Sequence, residues 1–189
     1  MLALLTGPVR SGKSACGLKL ALDSGEAVVI AVGGRGDDPE MARRIARHRA
    51  ERPDSLVVIE TAGDPQWMKR VPAGACLLVD CLGTILGASL VSLVTEGAEL
   101  ADDAAEQRAA EAADVLVDRL LARSGPTVVV TNEVGWGIVP ATPLGRLFRD
   151  ALGRANRRLT DGADAAWLVV AGRCVDIHSL PQEVWWPPK

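Results

Sequence analysis

Histidine is scarce in this chain of 189 residues: there are two, His48 and His178. The four cysteines, Cys16, Cys76, Cys81 and Cys174, fall in no C-x-x-C pair. With no histidine cluster to complete a ligand set, a zinc site is excluded, and the cysteines read as small buried thiols of a reducing compartment. Long apolar runs are missing too. The longest, about Leu82 to Val94, falls short of the ~20 residues that a membrane span needs. The apolar start, Met1 to Thr6, lacks the basic region and long apolar core of a signal peptide. A soluble, cytoplasmic protein is therefore expected. There is no basic excess either. Net charge is −3 and no basic-aromatic surface is visible, so nucleic acid is not an expected partner.

What is present is apolar and well ordered along the chain. Hydrophobic residues make up 48% of it, which argues against disorder. The length suits one domain spanning residues 1–189. Short apolar runs at Leu2–Thr6, Ala27–Val32, Leu56–Glu60, Ala75–Asp80, Thr127–Asn132 and Ala166–Ala171 predict strands. They are continuous rather than alternating, as expected of strands buried on both faces of a parallel sheet. Arg173–His178 would add a hairpin edge. Helical patterns cover about 13–23, 39–50, 82–95, 101–123 and 143–160. The expectation is an α/β fold of the P-loop NTPase kind, a mostly parallel central sheet flanked by helices. Asp38-Pro39-Glu40 and Thr142-Pro143 mark two helix starts. The acidic, Ala-rich stretch from Glu96 to Asp118 reads as a solvated helix face.

The strongest local signal is Gly7-Pro8-Val9-Arg10-Ser11-Gly12-Lys13-Ser14, which fits G-x-x-x-x-G-K-[ST] between a strand and a helix. Glycines let backbone N–H groups curl around phosphate oxygens, and the helix N-terminus adds partial positive charge. Lys13 suits the β- and γ-phosphates, and the Ser14 hydroxyl suits Mg²⁺. Downstream, Leu77-Leu78-Val79-Asp80 ends a strand with an acid, a second candidate for the Mg²⁺ end of the site. The guanine-reading N-K-x-D of Ras-like GTPases is absent. The loop alone leaves three chemistries open: nucleotidyl transfer, a simple small-molecule kinase, and a non-catalytic nucleotide switch.

His48 lies among Arg43, Arg44, Arg47, Arg49 and Arg52, a strong local positive field. Such a field suits polyphosphate and disfavours imidazolium, leaving a neutral, nucleophilic ring. A neutral imidazole can take up a phosphoryl-type group as a phosphoramidate. A solvated surface charge run accounts for the same residues. Thr131-Asn132-Glu133-Val134-Gly135-Trp136-Gly137-Ile138-Val139-Pro140 forms a Gly-rich loop at a strand's end, where a substrate pocket would form.

Taken together, these segments resemble the bifunctional adenosylcobinamide kinase / adenosylcobinamide-phosphate guanylyltransferase family. The carriers are Thr6–Ser14, Asp38–Pro53, Glu60, the strand ending at Asp80-Cys81, Thr131–Pro140 and Phe148–Leu159, in family order and covering nearly the whole chain. The resemblance implies phosphorylation of adenosylcobinamide by ATP or GTP, then GMP transfer from GTP to the phosphorylated corrinoid. It implies His48 as the guanylylated residue. It also implies nucleotide contacts at Gly7, Pro8, Val9, Arg10, Ser11, Gly12, Lys13 and Ser14, at Ala31, Val32 and Gly33, at Arg49, Ala50, Glu51 and Arg52, and at Glu60. Asp80 stands where family members carry an acid, and a homotrimer is the implied assembly. Pro8 and Val9 replace smaller residues common in that loop. Gly33 stands where a hydroxyl residue is frequent, and the end of the chain departs from the family's usual basic finish.

Overall fold

The apolar runs become strands because each is short, rich in Val, Leu and Ile, and closed by a polar residue or glycine. A computed structural model describes residues 1–34, 43, 56–61, 64–95 and 103–182. Within them run strands β1 (Leu2–Thr6), β2 (Val28–Val32), β3 (Val57–Glu60), β4 (Cys76–Asp80), β5 (Thr127–Val130), β6 (Ala165–Val170) and β7 (Arg173–Asp176). The helices are α1 (Lys13–Leu22), α2 (Leu82–Thr95), α3 (Asp103–Leu121) and α4 (Pro143–Gly162), with a 3-10 turn at Trp67–Arg70. The strand order is β3-β2-β4-β5-β1-β6-β7. Neighbours pair in parallel except β6 and β7, which form the antiparallel hairpin edge expected from Arg173–His178. The expected P-loop NTPase-like sheet is therefore present.

Both faces of the central strands are buried, which explains their continuous apolar pattern. One face of the sheet, including Leu4, Val29, Leu77, Val79 and Val129, packs under α2, α3 and α4. The other face, including Leu5, Ile30, Leu78, Val128 and Val130, packs on α1. The edge strand β3 departs from the expectation, because Val57 and Val58 are exposed.

Helix α2 is apolar all round, so its sequence does not reveal which face is buried. Leu82, Ile85, Leu86 and Leu90 enter the core. On α3, Ala105, Ala109, Ala113, Val117 and Leu120 form the buried stripe. Its acids are not merely solvated. Asp114 accepts from Arg154 Nε at 2.9 Å, Arg154 Nη2 at 2.8 Å and Arg158 Nη1 at 2.9 Å, and Asp118 accepts from Arg158 Nη2 at 2.7 Å. These pairs tie α3 to α4. The later helix start behaves as read: the Thr142 hydroxyl accepts from Gly145 N at 3.2 Å, with Pro143 opening α4. The Asp38-Pro39-Glu40 start and the chain's end, Trp185-Trp186-Pro187-Pro188-Lys189, lie outside the described residues.

The arginine hydrogen bonds hold the Asp114 carboxyl below its usual range. A depressed folded-state pKa gives stability that is present above the unfolded value and lost as pH falls through the folded one. Asp114→Asn is expected to lower the melting temperature by about 2–4 °C at neutral pH. The gap from wild type begins to close as pH drops below about 4, where an ordinary aspartate protonates, and is gone once Asp114 itself protonates in the folded protein. Thermal melts of both proteins across pH check this, and a gap independent of pH contradicts it.

Candidate nucleotide site

In a parallel sheet the C-terminal ends of the strands share one edge, and those predicted site residues that are described lie along it. β1 ends at Thr6, and the loop Gly7–Gly12 turns the chain into α1, which opens at Lys13. The glycines are required. A Cβ on Gly7 would lie 2.3 Å from the Val169 carbonyl oxygen, and Gly12 sits at φ 98°. No side chain caps α1, so its first N–H groups suit an anion.

Lys13 is buried, and its Nζ donates to the Pro8 carbonyl at 2.7 Å. The Ser14 hydroxyl donates to Asp80 Oδ1 at 3.0 Å, bridging α1 to the end of β4. The Thr6 and Ser11 hydroxyls are buried with no hydrogen-bond partner among the described residues. Buried hydroxyls are normally paired, so two orphans at a phosphate-type loop mark the place a ligand would complete.

Neighbouring segments brace the loop. Glu133 N donates to the Gly7 carbonyl at 2.9 Å, and Gly172 N donates to the Ser11 carbonyl at 2.8 Å. Behind them, the Thr131 hydroxyl donates to Asn156 Oδ1 at 2.7 Å, while Asn156 Nδ2 donates to the Asn132 carbonyl at 3.0 Å. Asn156 thus fastens the end of β5 to α4. Sequence reasoning quoted Glu133 and Asn156 within motifs without assigning them a role. It passed over Gly172, whose signal is a glycine between two strand patterns.

Ala31, Val32 and Gly33 close β2, and Glu60 closes β3 in register with Val32. By strand order, β3 lies four strands from β1, about 19 Å at ordinary spacing. These residues therefore form a second cluster on the same edge rather than part of the phosphate cradle. Glu60 is exposed, and its carbonyl accepts from Arg70 Nη2 at 2.7 Å. Gly33 is pressed against the first turn of α2: a Cβ there would lie 2.3 Å from Ile85 N and from the Thr84 carbonyl carbon. Glycine in place of the frequent hydroxyl residue is thus matched by this approach. His48, Arg49, Ala50, Glu51 and Arg52 lie outside the described residues.

The cysteine expectation is corrected in part. Cys76 is buried, whereas Cys16 and Cys81 are half-buried and Cys174 is exposed. Among the described residues, no helix is long and apolar enough to cross a membrane.

A strand, a glycine-bounded loop, a helix that opens on Lys13-Ser14 and an acid at the end of β4, one strand removed from β1, define a P-loop nucleotide-binding protein. The family model for cobinamide kinase / cobinamide phosphate guanyltransferase matches residues 3–177. Curated relatives agree. The bifunctional adenosylcobalamin biosynthesis protein CobU of Salmonella typhimurium is 37% identical, covering 94% of this chain and 99% of the relative. CobU of Escherichia coli is 36% identical with the same coverage, and CobP of Pseudomonas aeruginosa is 35% identical over 94% of this chain and 98% of its own. The chain belongs to the cobinamide kinase / cobinamide phosphate guanyltransferase family, and it is an enzyme. Among solved structures, a type III secretion system ATPase aligns at 14% identity and TM-score 0.48, covering 88% of this chain and 50% of its own. The P4 protein of bacteriophage phi6 with ADP aligns at 17% identity and TM-score 0.41, covering 92% and 53%.

Two outcomes are expected. Lys13→Ala leaves the fold intact and weakens triphosphate binding by about 1.5–3 kcal/mol, the usual worth of a charge-assisted contact; calorimetry with GTP measures it, and unchanged affinity contradicts the assignment. Gly33→Ser, despite restoring a hydroxyl, destabilises by on the order of 1–3 kcal/mol because backbone must shift to admit its Cβ. Urea denaturation reads this, and an unchanged midpoint refutes the close approach.

Proposed function

We propose that this chain phosphorylates adenosylcobinamide with ATP or GTP and then transfers GMP from GTP to the product through a guanylated His48. The carrying observation is the phosphate loop with Lys13 buried in it and Ser14 bonded to Asp80, in a chain of this family. In the kinase step, the loop N–H groups and Lys13 hold the triphosphate while a substrate hydroxyl attacks the γ-phosphorus; the bond to the β–γ bridging oxygen breaks, the nucleoside diphosphate leaves and the hydroxyl proton passes to solvent. In the guanylyl step, the His48 ring nitrogen bonds to the α-phosphorus as the bond to pyrophosphate breaks. An oxygen of the corrinoid phosphate then attacks the same phosphorus, the P–N bond breaks, and adenosylcobinamide-GDP leaves. The arginines beside His48 supply positive charge to these phosphates.

Mg²⁺ fits the residues present. Ser14 and Asp80 offer hard oxygens at one point, and no group of three or more His, Cys, Asp or Glu assembles among the described residues. Mg²⁺ characteristically takes few protein ligands and completes its shell with phosphates and water. Bound between Ser14 and Asp80, it would neutralise charge on the triphosphate.

The nucleotide would lie along the sheet edge, phosphates at Gly7–Ser14 and the remainder toward Ala31–Gly33 and Glu60. Trp136, Ile138 and Val139 are exposed on the loop beside Glu133, and they give the corrin ring an apolar surface. We further infer a homotrimer in the cytoplasm; light scattering that reports a monomer removes the trimer alone.

His48→Asn is expected to abolish both the enzyme–GMP adduct and guanylyl transfer while sparing much of the kinase step. The check uses α-labelled GTP, intact mass and peptide mapping. A phosphoramidate is labile in acid and stable in base, unlike a serine ester. An adduct that survives in His48→Asn, or GMP mapped to His178 or a hydroxyl residue, overturns the assignment.

A further inference from the structure

Cys16 and Cys174 are 158 residues apart in sequence, yet their sulfurs lie 3.9 Å apart. Cys16 is the fourth residue of α1, and Cys174 is on β7. Cys174 is exposed and Cys16 half-buried, so an oxidant can reach the pair. The hairpin that carries Cys174 also touches the loop itself. Gly172 N donates to the Ser11 carbonyl at 2.8 Å, and the position of a Gly12 Cβ is 3.3 Å from the Gly172 Cα. By contrast, Cys76 is buried inside β4, and Cys81 lies beside Asn132, whose Nδ2 is 3.9 Å from its sulfur.

We propose that Cys16 and Cys174 form a reversible disulfide that clamps the β6–β7 hairpin to the phosphate-loop helix and makes nucleotide binding sensitive to oxidants. A disulfide brings two sulfurs to about 2.05 Å, so closing this pair ties β7 covalently to α1. The Gly172–Ser11 hydrogen bond couples the tied hairpin to the loop. The loop is already set for an anion, so a displacement of its Ser11 end loses phosphate contacts.

With hydrogen peroxide as oxidant, the Cys174 thiolate attacks one peroxide oxygen. The O–O bond breaks, giving a sulfenic acid and, after protonation, water. The Cys16 sulfur then attacks the Cys174 sulfur. The S–S bond forms, the S–O bond breaks, and the departing hydroxide takes the Cys16 proton as a second water. Two thiols lose two electrons and the peroxide gains them. Burial and the Cys16 sulfur push the Cys174 thiol up, so little thiolate is present and the attack on peroxide is slow.

The test treats the whole chain with hydrogen peroxide, blocks remaining thiols, and maps peptides without reduction. GTP is titrated by calorimetry before oxidation, after it, and after dithiothreitol. The expected result is a Cys16–Cys174 peptide, a monomer lighter by two hydrogens, and GTP affinity roughly tenfold weaker, restored by reduction. Cys174→Ser binds GTP like the reduced protein and does not respond to peroxide. Absence of the Cys16–Cys174 link, or a link through Cys76 or Cys81, overturns the pairing. A link with unchanged GTP affinity overturns the clamp, as does a Cys174→Ser protein that still loses affinity on oxidation.

Discussion

The hydrogen bond from Ser14 to Asp80 is the contact on which the site depends. It joins the helix that follows β1 to the end of β4, although β5 lies between those strands. Parallel pairing makes it possible, because Leu5 and Asp80 are both in register with Val130 of β5. A one-residue slip of β4 against β5 would turn the Asp80 side chain to the other face of the sheet. The buried apolar sets on both faces hold that register, so the core positions the chemistry.

Around this contact the loop is held as a frame. Glu133 and Gly172 hold its carbonyls from two sides, and the approach of Val169 to Gly7 leaves no room for a side chain. The Thr6 and Ser11 hydroxyls are left without partners among the described residues. A frame that satisfies its carbonyls while leaving hydroxyls and helix N–H groups for a ligand is matched to an anion.

Much of this was legible in the sequence because the signals are local. Gly7, Gly12, Lys13 and Ser14 report backbone geometry and phosphate chemistry within eight residues. The strand runs report burial directly, and Thr142-Pro143 marks a helix start that the structure confirms. The rest is long-range. Nothing in the composition of α3 says that Asp114 meets Arg154 and Arg158, forty residues and more away. An all-apolar α2 hides which face enters the core, and edge placement exposes Val57 and Val58 despite their apolar run. The Cys16–Cys174 approach depends on β6 lying beside β1, which no local pattern encodes. The chemistry assigned to His48 comes from family resemblance, because its arginine neighbours alone fit a solvated face equally well.

The most direct test of the account is the Mg²⁺ dependence of GTP binding, compared by calorimetry in wild type and Ser14→Ala. If Ser14 and Asp80 hold the metal end of the nucleotide, Mg²⁺ tightens GTP binding in wild type. Ser14→Ala then loses most of that gain while keeping its metal-free affinity. A Ser14→Ala protein with the full Mg²⁺ enhancement would contradict the account.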